Sequence, residues 1–90
     1  MSEIKLNARQ KAILRRMCRR DLDRDGPESG SEMAEALWGL CLFTSVEQGQ
    51  RTAMQLLHKG LAERAGVTMT GAQCFIPSEA GRLVFKEPKP

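Results

Sequence analysis

The sequence predicts a mainly helical α+β domain, with three amphipathic helices followed by a small two-stranded β-hairpin. Apolar residues recur at spacings of three and four over the first two thirds of the chain, which is the helical period. From Leu61 onward the pattern becomes that of extended strands around a stretch rich in Gly and Thr. Ninety residues form one domain with one core, and we expect residues 1–6 and 86–90 to be flexible tails.

The first helix begins after Asn7, a favoured N-cap residue, with Gln10 where a capping box needs Glu or Gln. We expect it to run to about Arg20. Four apolar positions then share one face, which predicts the side buried in the core: Ile13, Leu14, Met17 and Cys18. The same period leaves five arginines largely outside the core: Arg9, Arg15, Arg16, Arg19 and Arg20.

The second helix is predicted over residues 30–38, with Ser31 as its N-cap and Gly39 at its end. The apolar residues 40–43 predict a buried turn or an extension of this helix. A third helix follows the cap signal Thr44-Ser45 and runs to about Lys59. Gly49 inside it costs about 1 kcal/mol relative to Ala, which predicts close packing against the second helix or a late helix start.

The hairpin is predicted from residues 61–64 and 74–76, with a long tip over residues 66–73. Ser78 then caps one or two helical turns that return to the core, with Leu83 and also Phe85 as the candidates for the inward side chain.

Charge and composition limit the classes of function. The first 24 residues carry eight Lys or Arg against three acids, a balance of +5, so this helix could follow a phosphate backbone. A single histidine and no closely paired nucleophile and base predict that the protein is not an enzyme. We expect no cofactor, no membrane segment and a cytoplasmic location. Three cysteines without a C-x-x-C pair predict reduced, buried thiols.

An acidic stretch, residues 21–32, matches the calcium-loop pattern D-x-D-x-D-G-x5-E. Its candidate ligands are carboxylates suited to a hard cation: Asp21, Asp23, Asp25 and Glu32. Against calcium stand Glu28 at a loop position that is usually apolar, the lack of a second loop, and the arginines beside the ligands. The other interpretation is a polar connection whose acids pair with those arginines.

Three segments carry a resemblance to the winged helix-turn-helix of MarR-, PadR- and ArsR-like regulators. The segment GSEMAEAL, residues 30–37, resembles the first helix of the helix-turn-helix. LLHKGLAER, residues 56–64, resembles the end of the recognition helix running into the wing, and FIPSEAGR, residues 75–82, resembles the segment that leaves the wing.

The resemblance implies a single winged-helix domain whose third helix enters the major groove of double-stranded DNA while the hairpin, as the wing, flanks the backbone. It implies base-reading roles for Gln48, Gln50, Arg51 and Gln55. The implied wing contacts are Arg64, Thr68, Thr70 and Gln73. The implied phosphate contacts are Lys11, Arg15, Arg16 and Arg19.

The function expected from this resemblance is that of a bacterial or phage transcription regulator acting as a homodimer, because one helix reads few base pairs. Residues 44–73 have a balance of only +1, so a second hypothesis is a winged-helix module that binds another protein, such as a phage-encoded inhibitor or adaptor, and not DNA. A third is a single EF-hand-like calcium-binding helix-loop-helix.

Overall fold

A computed structural model describes residues 5–85 as four α-helices and a three-stranded antiparallel sheet, a small α+β domain. The sheet has one strand more than the predicted hairpin. The elements in chain order are α1 (Ala8–Asp23), β1 (Glu28–Ser29), α2 (Gly30–Ala36), a 3-10 helix (Trp38–Leu40), α3 (Val46–His58), β2 (Ala62–Val67), β3 (Gln73–Pro77) and α4 (Glu79–Val84). Within these residues no helix has the length and apolar character needed to cross a membrane.

The predicted capping box at the start of α1 is confirmed. The Gln10 backbone N–H donates to the Asn7 side chain, and the Asn7 N–H donates to the Gln10 side chain. The helix ends three residues later than predicted, at Asp23, and Arg24 closes it in the left-handed conformation (φ 57°). The first two acids of the calcium pattern therefore lie in the helix and not in a loop.

The N-cap of α2 is Ser29, so the prediction of Ser31 is wrong. The Ser29 hydroxyl accepts from the Glu32 N–H, and the Glu32 carboxylate accepts from the Ser29 N–H. This is a full capping box, which Ser31 could not form because the residue three positions later is Ala34. The helix ends at Ala36, before Gly39.

The close packing predicted from Gly49 is confirmed. A Cβ built on Gly49 would lie 2.5 Å from the Ala34 Cβ and would collide with the Gly30 carbonyl oxygen, while one on Gly30 would meet the Gly49 carbonyl oxygen at 2.5 Å. The two backbones touch at this point, so the two glycines bring α3 directly against α2.

The sheet has the order β1-β3-β2, with both neighbours antiparallel to β3. Glu28 and Ser29 of β1 pair with Phe75 and Cys74 of β3, so the connection between the first two helices includes an edge strand. The register of β2 shifts by one residue between Arg64 and Val67, which is a β-bulge next to the hairpin tip.

The predicted cap of the last helix is confirmed, but its buried residue is not Leu83. Ser78 accepts from the Gly81 N–H and donates its hydroxyl to the Gly60 carbonyl. Gly81 is buried against the Leu61 carbonyl, where a side chain would collide. Leu83 is 56% exposed, and Val84 and Phe85 make the partial contacts with the core.

The core lies between α1, α2, α3 and the sheet. Its largest fully buried hydrophobic members are Phe75, Ile13, Leu14, Met33, Leu56 and Leu61. Leu6, placed in the predicted N-terminal tail, packs against this core. Residues 1–4 and the predicted tail 86–90 lie outside the described residues.

The prediction of a buried turn or helix extension over residues 40–43 and the prediction that the cysteines are buried are each wrong in part. Phe43 is buried, but Leu40 is exposed because the 3-10 helix and a left-handed Cys41 (φ 58°) turn the chain outward. Among the cysteines only Cys74 is buried, while Cys18 is half-buried and Cys41 is exposed. Burial raises the pKa of the Cys18 and Cys74 thiols, which keeps both in the neutral form.

An ion pair between Asp21 and Arg82 joins the end of α1 to α4, with Arg82 Nε 2.9 Å from Asp21 Oδ2. The hydrogen bond from Arg82 lowers the pKa of the Asp21 carboxyl below its ordinary value of 3.8. The Asp21 carboxylate therefore binds a proton less readily in the folded protein than in the unfolded chain. The ion pair with Arg82 stabilises the fold only while Asp21 is ionised.

We expect Asp21→Asn to lower the free energy of unfolding by a few tenths of a kcal/mol at neutral pH, because the pair is partly exposed and screened by water. The difference from wild type is fully present above about pH 3.8 and disappears as the pH falls through the depressed pKa of the folded state. Urea unfolding at several pH values measures this. A difference in free energy of unfolding between the variant and wild type that grew as the pH was lowered would contradict this prediction.

Candidate functional site

The exposed face of α3 forms a shallow cleft with the start of α1. Gln48, Arg51 and Gln55 line it from α3, and Asn7 and Arg9 line it from the other side, enclosing about 140 Å³. The glycine contact with α2 and the buried residues Ala53 and Leu56 hold α3 against the protein, so this face is presented on a rigid support. We call this surface the α3 cleft.

The side chains of the α3 cleft differ in the hydrogen bonds that they make within the protein. Gln48 accepts from the Thr44 N–H at 2.9 Å, in front of the helix. Gln55 accepts from the buried Gln10 side chain at 3.0 Å, which leaves its amide N–H groups for a ligand. Arg51 is exposed and makes no side-chain hydrogen bond or salt bridge within residues 5–85. It is the member of the cleft best placed to donate to an external acceptor.

Gln50 has a different position from the other base-reading candidates. Its carbonyl oxygen accepts from the Ser31 N–H at 3.2 Å, and its amide nitrogen donates to the Gln73 carbonyl at 3.1 Å. One half-buried side chain thus satisfies an unpaired N–H in the first turn of α2 and joins that helix to β3. Both ends of the amide are used inside the fold, so we assign Gln50 to positioning the helices and not to reading bases.

Replacing Gln50 by alanine is expected to lower the free energy of unfolding by about 1–2 kcal/mol, because the Ser31 N–H and the Gln73 carbonyl lose their partner. Urea unfolding followed by fluorescence of Trp38 measures the effect. Arg51→Ala is the matched control, since that side chain on the same helix is exposed and makes no hydrogen bond within residues 5–85, and it should change stability by less. A Gln50 variant as stable as wild type would contradict the structural role of this side chain and make Gln50 a candidate for ligand contact again.

The hairpin tip is organised by three of the four predicted wing residues. The Thr68 backbone pairs with Ala72 and Gly71, and the Thr68 and Thr70 hydroxyls lie 2.9 Å apart. The Gln73 amide nitrogen donates to the Gly66 carbonyl at 2.7 Å, across the bulge. These side chains shape the tip and keep part of their hydrogen-bonding capacity. Arg64 lies on the exposed side of β2.

The hairpin tip borders the acidic side of α2. Thr68 and Thr70 share an open cleft with Glu32 and Glu35, and no Lys or Arg of the part of the chain that the structure describes lines this cleft. A phosphate approaching the tip from this side would meet two carboxylates, so electrostatics disfavour phosphate contact here.

The predicted phosphate-binding residues of α1 lie outside the α3 cleft. Arg16 forms a two-point ion pair with Glu28, at 3.0 and 3.2 Å, which fastens α1 to β1. Arg19 pairs with Asp23 at 3.0 Å, and the Arg15 guanidinium lies 4.5 Å from the centre of the Phe85 ring. Lys11 is exposed. Arg15, Arg16 and Arg19 line a second cleft that shares no residue with the first.

Arg9 is a positively charged residue of the α3 cleft that was not among the site residues predicted from the sequence. Its Nε donates to the Leu42 carbonyl at 2.6 Å, which orients the side chain toward α3. Its position on the outer face of α1 was evident from the helical period, but its proximity to Arg51 depends on how α1 crosses α3. We add Arg9 to the candidate residues.

Three of the four candidate calcium ligands are used within the fold. Asp21 pairs with Arg82 and Asp23 with Arg19, both from within α1, while Glu32 caps α2. Within residues 5–85 no three His, Cys, Asp or Glu residues are grouped so that they could hold a metal ion. The expected pairing with the neighbouring arginines is found for Asp23, with Arg19, and for Glu28, with Arg20 at 3.6 Å, whereas Asp21 pairs with Arg82 of α4.

Comparison of the chain with protein-family models, with curated proteins and with solved structures found no significant match.

Proposed function

We propose that the protein is a winged helix-turn-helix regulator that binds double-stranded DNA in the cytoplasm as a homodimer. The observation that carries the proposal is the face of α3: Arg51 is exposed and has no internal partner among residues 5–85, Gln55 keeps free amide N–H groups, and Arg9 stands beside them. Arginine suits the O6 and N7 acceptors of guanine, and glutamine suits adenine.

The order of elements supports the same proposal. Three helices precede a hairpin, and a short edge strand lies between the first two helices, as is common in winged-helix proteins. The backbone contact between Gly30 and Gly49 sets α3 directly on α2, which is the pairing that a helix-turn-helix uses to support its recognition helix.

The proposed contacts follow from the side chains that remain available. Arg51 and Gln55 contact base edges, with Gln48 beside them at the start of α3. Arg9 contacts phosphate, and Arg64 contacts the backbone from the wing.

A titration of fluorescent duplex fragments from around the protein's own gene, at two salt concentrations, tests the proposal. We expect retention that weakens as salt rises, with each phosphate-contacting cation adding about −0.9 to the slope of log K against log salt. Arg9→Ala should reduce this slope by about 1. Absence of retention at low salt would overturn the proposal.

A module that binds another protein is the second candidate function. It is favoured by the acidic residues Glu32 and Glu35 beside the hairpin tip, where a DNA-binding wing would gain from cations. In that case the α3 cleft and the tip would recognise a protein, and the duplex titration would show no binding at either salt concentration.

A further inference from the structure

An open, largely apolar cleft runs along the outer side of α1. Leu22, Leu37, Leu40 and Phe85 supply its apolar surface, and it encloses about 490 Å³. Leu22 is 77% exposed and Leu40 is 57% exposed, although both are large hydrophobic side chains. We call this surface the α1 cleft. Exposed apolar residues gathered in a concave surface are typical of a binding site, whereas isolated ones are not.

The charged residues of the α1 cleft all have the same sign. Arg15, Arg16 and Arg19 line it, and among the described residues no Asp or Glu does. Glu28 and Asp23 offset Arg16 and Arg19 from outside the cleft. Arg15 has no salt bridge within the described residues and lies over the Phe85 ring. A ligand in this cleft therefore meets leucine side chains beside a guanidinium group that no carboxylate of residues 5–85 pairs with.

We propose that the α1 cleft docks the apolar face of an acidic amphipathic helix from a partner protein. Such a helix places leucine-like side chains on one face, at spacings of three and four residues, against Leu22, Leu37 and Leu40. Its carboxylates then lie at the rim, within reach of Arg15 and Arg19, and charge-assisted hydrogen bonds to arginine fix its orientation.

Charge argues against the other occupants. In a two-fold symmetric contact with a second copy of this chain, the same arginines would face one another, and like charges oppose association. Duplex DNA offers phosphates for the arginines but would leave the exposed leucines without an apolar partner. The α1 cleft shares no residue with the α3 cleft, so both surfaces can be occupied at once.

A synthetic peptide of about four helical turns is the probe, with leucines on one face and glutamates on the others. A peptide of the same composition in scrambled order, which has the charge but no apolar face, is the control. Fluorescence anisotropy of the labelled peptide measures binding to the full chain. Trp38, the single tryptophan, follows Leu37 directly and provides a second signal.

We expect saturable binding of the amphipathic peptide, weakened by salt, with the scrambled peptide bound at least about tenfold more weakly. Leu40→Glu and Arg15→Glu should each weaken binding about tenfold or more, since one removes apolar contact and the other reverses the complementary charge. Both positions are on the surface, and circular dichroism checks that each variant is folded. Met69→Glu, at a fully exposed apolar residue of the hairpin tip, should leave binding unchanged.

Equal binding of the two peptides, unchanged binding by both cleft variants, or no saturation would overturn the proposal. Displacement of the peptide by duplex DNA would also overturn it and would assign the arginines to phosphates. The inference is independent of the proposed function, because Leu40→Glu should weaken peptide binding without changing affinity for DNA.

Discussion

Replacing Gly49 by alanine is expected to lower the free energy of unfolding by about 2 kcal/mol, although alanine is the better helix former by about 1 kcal/mol. The added methyl group would collide with the Gly30 carbonyl oxygen and the Ala34 side chain. Overpacking of this kind costs about 1–3 kcal/mol, and an obstacle made of backbone places it at the upper end. The steric cost therefore exceeds the gain in helix propensity.

Urea unfolding followed by Trp38 fluorescence measures this prediction. The midpoint should fall by roughly 2 M, for a denaturant slope of about 1 kcal/mol per M. Gly39→Ala is the matched control, because a Cβ at Gly39 meets no atom within 4 Å, and its midpoint should stay close to that of wild type. A Gly49 variant as stable as wild type would show that α2 and α3 do not approach this closely.

Replacing Arg51 by alanine is expected to weaken specific DNA binding by about 1–3 kcal/mol, which is roughly 5- to 150-fold. Arg51 is exposed and makes no internal hydrogen bond within the described residues, so its removal should leave the fold intact. The loss should be concentrated on one base pair of the site, because a bidentate contact with guanine distinguishes that base from the others.

Titration of duplexes that differ by one base pair measures both the affinity and the change in preference. Arg15→Ala provides the matched control, an exposed arginine that lines the α1 cleft and is not part of the α3 cleft. It should bind the same duplex with nearly the affinity of wild type. An Arg51 variant that kept both its affinity and its base preference would remove this residue from the site.

Local sequence signals predicted much of the fold. The Asn7–Gln10 capping box, the Ser78 cap and the helix-to-hairpin change each depend on residues close in sequence, and the structure has all three. The true cap of α2 was also present as a local signal, since Ser29 precedes Glu32 by three residues. Gly49 pointed to a close helix contact because a glycine inside a helix carries an energetic cost that needs a structural reason.

The internal hydrogen bonds of the site residues could not be predicted from local sequence signals. Gln50 is bound by Ser31, 19 residues earlier, and by Gln73, 23 residues later, so its structural role exists only in the folded chain. The basic residues of α1 are a second example. The helix periodicity placed Arg9 and Arg15 outside the core, but only the packing of α1 in the folded chain shows that they line different clefts.

Selection of bound sequences from a pool of random double-stranded DNA, with the full chain as the binding protein, measures sequence-specific binding without assuming an operator. We expect convergence on one motif, built as two half-sites about 10 base pairs apart or a multiple of this, and bound roughly a thousandfold more tightly than a shuffled duplex. A pool that shows no enrichment, or a selected duplex bound no better than its shuffled form, would contradict sequence-specific DNA binding.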